Sequence, residues 1–143
     1  MRFPFMRVCI VLLVLLSAGI FSNENDIRDR YGSYKGKVDK DGSFRDRYGS
    51  YSGKINSDGE LRDKYGSYRG KVNNNGDIRD RNGSMLGKIT SSGEVRDKYG
   101  SLLGVIHNDG TVRDRYGSSL GKVGSDVSKE STAIKFFFPG LTD

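Results

Sequence analysis

From residue 27 onward the chain repeats one phrase at a period of 17 that never drifts. RDRYGSYKGKV (28–38) returns as RDRYGSYSGKI (45–55) and RDKYGSYRGKV (62–72), and three further copies start at Arg79, Arg96 and Arg113. An aliphatic residue or Phe precedes each Arg-Asp pair, at Ile27, Phe44, Leu61, Ile78, Val95 and Val112. Gly-Ser begins at 32, 49, 66, 83, 100 and 117, and a second glycine falls at 36, 53, 70, 87, 104 and 121. A β-branched residue ends each copy: Val38, Ile55, Val72, Ile89, Ile106 and Val123. Glycine at this density excludes helix. A fixed short period means units that bury their apolar side only by association with one another.

The segments between copies are DKDG, NSDG, NNNG, TSSG and HNDG. A turn-forming residue first and glycine fourth is the pattern of a type I turn whose last residue is left-handed. The runs between turns are short and rich in Val, Ile, Tyr and Phe, and read as strands. If NNNG closes on Asn73 and Asp77, Val72 lies opposite Ile78. If Tyr65-Gly66 forms a two-residue loop, Lys64 faces Ser67 and Leu61 faces Gly70. Leu61, Gly70, Val72 and Ile78 then share one face. A three-residue loop would put Leu61 opposite Arg69 and invert the apolar face in every copy. The two-residue loop is therefore the reading adopted, and Asn82-Gly83 in the fourth copy favours it. The fold class that follows is all-β, with 17-residue antiparallel hairpins carrying one apolar and one charged stripe.

The ends differ from the repeats. Arg2 and Arg7 flank a basic start, residues 8–21 are uncharged, and Ser17, Ala18, Gly19 and Ser22 are small. That layout predicts a signal peptide over 1–22 and an exported chain, with an uncleaved anchor as the alternative. The apolar run falls short of the roughly 20 residues a spanning helix needs. Removal takes away Cys9, the only cysteine, and leaves 22 basic residues against 18 acids, a net +4 in place of +6. A mild excess of this kind does not imply nucleic acid. The repeat domain is placed at 26–126 and a closing segment of the same domain at 127–138. Within that segment Ala133–Phe138 reads as a final strand, ended by Pro139-Gly140, that fills the centre or closes the open edge. The position filled by Lys35, Ser52 and Arg69 in early copies, and by Leu86, Leu103 and Leu120 in late ones, reads as outward. A membrane-inserting tail is the competing reading.

The unit xDGxVRDxxGxxxGKV, repeated from Gly42, Gly59, Gly76, Gly93 and Gly110 and followed by Ala133-Ile134-Lys135-Phe136-Phe137-Phe138, resembles the bacterial 5-fold β-flower proteins. The resemblance covers the chain after the signal peptide. It implies hairpins in a pseudo-fivefold arrangement about an axis, closed by a Phe-rich C-terminal strand, and carries no activity with it. Asn82 in place of tyrosine, Val105 in place of lysine and the acid-free TSSG depart from the repeated pattern.

Chemistry is sparse. His107, the only histidine, starts a turn, where it substitutes for Asn or Asp. The serines lack a distinctive basic neighbour, and the carboxylates recur in near-identical copies. A catalytic site needs asymmetric groups with separated pKa values. DKDG resembles a calcium loop but has no distal Glu. No catalytic, cofactor or metal residues are assigned, and the chain is expected to be non-enzymatic. Asp29, Asp46, Asp63, Asp80, Asp97 and Asp114 are expected to accept turn N–H groups, with an arginine of an adjacent copy as ion partner. The candidate ligand surface is the hairpin tip: Arg30, Tyr31, Arg47, Tyr48, Lys64, Tyr65, Lys98, Tyr99, Arg115 and Tyr116. Cations beside rings suit glycans or other anionic polymers, and repetition adds avidity. Tyr34, Tyr51 and Tyr68 extend that surface. The alternatives are tyrosines that shield turns, and a structural or envelope-assembly protein that meets another protein through its Phe-rich end or its leucines.

Overall fold

A computed structural model of the chain describes residues 24–142; the expected signal peptide lies outside them. The repeats form six hairpins: β1 (Asp26–Asp29) with β2 (Tyr34–Val38), β3 (Ser43–Asp46) with β4 (Tyr51–Ile55), and β5 (Glu60–Asp63) with β6 (Tyr68–Val72). They continue as β7 (Asp77–Asp80) with β8 (Met85–Ile89), β9 (Glu94–Asp97) with β10 (Leu102–Ile106), and β11 (Thr111–Asp114) with β12 (Ser119–Val123). All neighbours pair antiparallel, and β1 pairs with β12 to close a twelve-stranded barrel. Five xxxG turns join the six hairpins. At the seam, Ile27 lies opposite Val123 and Asp29 opposite Gly121, the register that Leu61 and Asp63 keep with Ile55 and Gly53. The seam thus repeats an ordinary hairpin junction without its turn. Closure leaves no unpaired strand edge.

The apolar stripe faces inward. Val72 pairs with Ile78 and Leu61 with Gly70, as the face count requires. The inter-hairpin turn also matches: Asn73 N–H donates to the Asp77 carbonyl at 2.8 Å, and Gly76 has φ +90°. The hairpin tip does not. Asp63 N–H donates to the Ser67 carbonyl and Gly66 N–H to the Asp63 carbonyl, both at 3.0 Å, so the loop is Lys64-Tyr65-Gly66, three residues and not two. The asparagine-glycine copy adopts the same loop. A β-bulge restores the face: Arg62 pairs with Tyr68 while Leu61 still pairs with Gly70, so Arg69 is the extra residue. A bulge absorbs one residue and re-aims a side chain.

That re-aiming corrects a second expectation. Leu86, Leu103 and Leu120, at the bulges of β8, β10 and β12, do not face outward; they are half-buried against the core.

The expected closing strand is a helix, α1 (Lys129–Phe137), followed by a 3-10 turn at Pro139–Leu141. Ser128 caps it, its Oγ accepting from Ser131 N–H at 3.1 Å. Glu130 sits in the first turn and Lys135 in the last, as the helix dipole favours. Twelve strands enclose more space than barrel side chains alone can fill. α1 enters that space and buries Ser131, Thr132, Ala133 and Ile134. Residues one apart on a helix point about 100° apart. Phe136 and Phe137 therefore reach different hairpins, and Phe138, at the non-helical C-cap, reaches a third. A Cβ added to Gly121 would lie 3.0 Å from Phe136, one at Gly104 would lie 2.5 Å from Phe137, and one at Gly87 would lie 2.6 Å from Phe138. The three rings and the leucines of β8, β10 and β12 fill the hairpin-tip end of the lumen. Arg69 donates to the Gly140 carbonyl at 2.8 Å and fixes the 3-10 turn on the opposite side.

Candidate functional site

Each hairpin tip is built by one aspartate. Asp63 Oδ1 accepts Tyr65 N–H at 2.9 Å and Ser67 N–H at 3.0 Å, which ties the loop across its base. Asp29, Asp46, Asp80, Asp97 and Asp114 do the same in their copies. The expected ion partner differs. Asp29 and Asp63 pair with Lys35 and Arg69 of their own hairpins, at 3.4 and 3.9 Å. The Arg-Asp arginines turn back to the tip: Arg28, Arg45, Arg62, Arg79, Arg96 and Arg113 donate to the carbonyls of Gly32, Gly49, Gly66, Gly83, Gly100 and Gly117 at 2.9–3.1 Å. The Arg-Asp pair is therefore a device for stapling strand to turn.

Held this way, the tips project their middle residues into solvent. Tyr31, Tyr48, Tyr65, Tyr99 and Tyr116 are 77–82% exposed, so they neither shield turns nor pack on neighbouring hairpins. Each ring lies beside the cation that precedes it: Arg30 at 5.4 Å, Arg47 at 4.8 Å, Lys64 at 5.2 Å, Lys98 at 5.1 Å and Arg115 at 4.9 Å. These pairs form within one tip, and the closed barrel gathers the five tips at one end. Asn82 interrupts the ring at the fourth hairpin. Tyr34 and Tyr68 continue down the wall, beside Arg28 at 5.8 Å and Arg62 at 5.9 Å.

The wall below the tips was not read from the sequence. Registers set Lys37 opposite Arg45, Lys54 opposite Arg62, Lys71 opposite Arg79, Lys88 opposite Arg96 and Lys122 opposite Arg28. Lys and Arg lie 8 residues apart between successive hairpins, and that spacing was the available signal. Acids lie across the other side of several lysines, as Glu60 does from Lys71. Charged side chains dominate this outer face, whereas a membrane-spanning barrel presents an apolar band there. Among the described residues no helix is long and apolar enough to cross a membrane.

Asp39, Asp41 and Asp109 of the connecting turns and Asp29 of the first tip have lowered pKa values. Arg45, above all, and Lys37 keep Asp39 below its ordinary value against the effect of burial. For Asp41 and Asp109 the leading cause is the backbone N–H of Ser43 and Thr111. Burial raises Asp29, but Ser33 and Tyr31 N–H groups and Lys35 outweigh it and lower its pKa. Among the described residues no three His, Cys, Asp or Glu side chains converge as a metal set. His107 occupies its turn-starting position, its N–H donating to the Thr111 carbonyl at 2.9 Å.

A model of the family described as 5-fold beta-flower protein matches residues 24–139. Neither a curated protein nor a solved structure matches the chain.

Proposed function

The chain belongs to the 5-fold beta-flower protein family, and from that premise we propose that it is an exported, non-enzymatic binding module for anionic glycans. The observation that carries this reading is the ring of exposed tyrosines, each beside a cation, at one end of a closed barrel. Sugar rings stack on the open tyrosine faces, acidic groups meet Arg30, Arg47, Lys64, Lys98 and Arg115, and five weak contacts on one polymer add by effective concentration. The facing Lys and Arg of the wall extend the positive field below the tips. The competing structural reading, through protein–protein contacts, has less apolar surface to use, because Phe136, Phe137 and Phe138 and the leucines at 86, 103 and 120 are partly buried against the chain's own core.

Retention on a panel of acidic polysaccharides, compared with neutral ones, tests the proposal. The wild type binds acidic members with a salt-dependent affinity. Tyr48→Ala/Tyr65→Ala/Tyr99→Ala loses at least tenfold with an unchanged melting temperature, since these side chains are exposed. No retention of any acidic glycan, or equal retention by the triple variant, overturns it.

A further inference from the structure

The repeats are near-equivalent, but the plug inside them is not symmetric. α1 leans on β8 and β10, and the 3-10 turn sits on β5 at the hairpin-tip end. At the opposite end, the lumen beside β2, β4 and β6 stays open as a cavity of about 970 Å³. Ile55 is the apolar side chain that opens onto it, bordered by Val38, Val72 and Ile89, which are only 5–6% exposed. The residues before Arg-Asp and at the end of each copy place two apolar side chains per hairpin inside, and among these twelve Ile55 alone is left partly exposed. That exposure is a consequence of the off-centre plug, because the sequence at Ile55 follows the repeat.

The mouth has a different chemistry. Asp39 is engaged by Arg45 at 2.8 Å and Lys37 at 3.2 Å, Asp41 by Lys54 at 3.9 Å, and Lys88 by Asp77 at 3.8 Å. What remains around the opening is Asp58, Asp126 and Glu130 with Lys40 and Lys129, a mixture with no dominant sign. Between these charges stand Asn73 and Asn74 of NNNG and Ser91 of TSSG, the two copies whose turns lack an acid, whereas Asn75 and Thr90 are hydrogen-bonded to Asp77 and Glu94 within their turns. Amides carry both donors and acceptors, and hydroxyls act as either. A mouth of this kind matches a head group that is itself neutral and hydroxylated. The volume is at the upper end of the roughly 300–1,000 Å³ usual for small-molecule sites.

We propose that this end cavity binds a neutral amphiphile, with its aliphatic chain on Ile55 between the edges of Val38, Val72 and Ile89 and a hydroxylated head among Asn73, Asn74 and Ser91 of the connecting turns. The site lies at the opposite end of the barrel from the tyrosine ring and does not depend on it. Titration calorimetry with octyl glucoside, below its micelle concentration, tests it on the whole chain. Binding is saturable and one-to-one, octyl sulfate and octyltrimethylammonium bind at least fivefold more weakly, and glucose alone gives no heat. Ile55→Lys weakens octyl glucoside at least tenfold, and Asn74→Trp, at an exposed turn position, does the same by obstructing the mouth even if the first variant folds poorly. The tyrosine triple variant binds octyl glucoside like the wild type. Absence of saturable binding, tighter binding of either charged amphiphile, or unchanged affinity in Asn74→Trp overturns the proposal.

Discussion

One carboxylate oxygen organises each hairpin tip, and one guanidinium closes it. Asp63 accepts two turn N–H groups while Arg62 donates to the carbonyl of Gly66, so donors and acceptors that a tight loop leaves over are satisfied locally. The connecting turns use carboxylates in a related way, and pH tests them. Asp39, Asp41, Asp109 and Asp29 have native pKa values below the ordinary 3.8. Between the lowered native value and 3.8 the unfolded chain binds more protons than the native one, so stability rises with pH across that window. It is fully present above the ordinary value and lost as pH falls through the native one. Urea midpoints measured at pH 6, 4 and 3 are expected to fall steeply between the last two. Asp39→Asn, which removes the acceptor charge for Arg45 and Lys37, flattens that fall. A midpoint independent of pH down to 3 contradicts this account.

At the scale of the element, the two glycines of a copy do different work, and the fifth copy separates them. Gly100 has φ +85° and open space where a Cβ would go, so alanine there meets backbone strain only. Gly104 is squeezed: an added Cβ would lie 2.3 Å from the Arg113 carbonyl oxygen and 2.5 Å from Phe137. Gly100→Ala is expected to cost about 1 kcal/mol. Gly104→Ala is expected to cost about 3 kcal/mol or more, since overpacking alone costs about 1–3 kcal/mol and the carbonyl cannot yield without opening the β10–β11 pair. Chemical denaturation of the two variants checks the ranking, and equal destabilisation contradicts it. The same glycines mark how far the sequence could be read. Period 17 and the shared face of Leu61, Val72 and Ile78 were legible, because side-chain alternation fixes them. The bulge at Arg69 was not, because a three-residue loop with a bulge and a two-residue loop without one leave Leu61 opposite Gly70 and Val72 opposite Ile78 alike, and differ only at the bulged position and its neighbour. α1 was missed for a related reason. Inside a barrel every face of a helix meets a wall, so Ala133–Phe138 shows none of the one-sided periodicity that identifies a surface helix. The capping Ser128 and the glycine-free stretch after Ser125 were the remaining clues. The tyrosine tips were visible as motifs, whereas the cavity was not, since it arises from where the plug leans.

For the whole molecule, closure stabilises and charge opposes. Six junctions between hairpins hold the barrel together, and the β12–β1 junction does so without a covalent turn. Five of them set a lysine directly across from an arginine. Like charges across a strand pair are destabilising, and a chain carrying net +6 adds a general repulsion. The fifth copy carries Val105 opposite Arg113, which shows that the position accepts an uncharged β-branched residue. Lys122→Val makes the seam resemble that junction. It is expected to stabilise the protein by about 0.2–1 kcal/mol, the range for one cross-strand pair. The loss of the exposed attraction between Lys122 and Asp109 offsets little of this. Wild-type stability should also rise between 20 and 300 mM NaCl, because the Debye length shrinks below the width of the wall, and the variant should respond less. Urea midpoints for both proteins at the two salt concentrations decide the matter. If salt lowers the wild-type midpoint, or Lys122→Val is the less stable protein at low salt, attraction from the acids across the hairpins outweighs repulsion along the wall, and the barrel closes with the help of its charges.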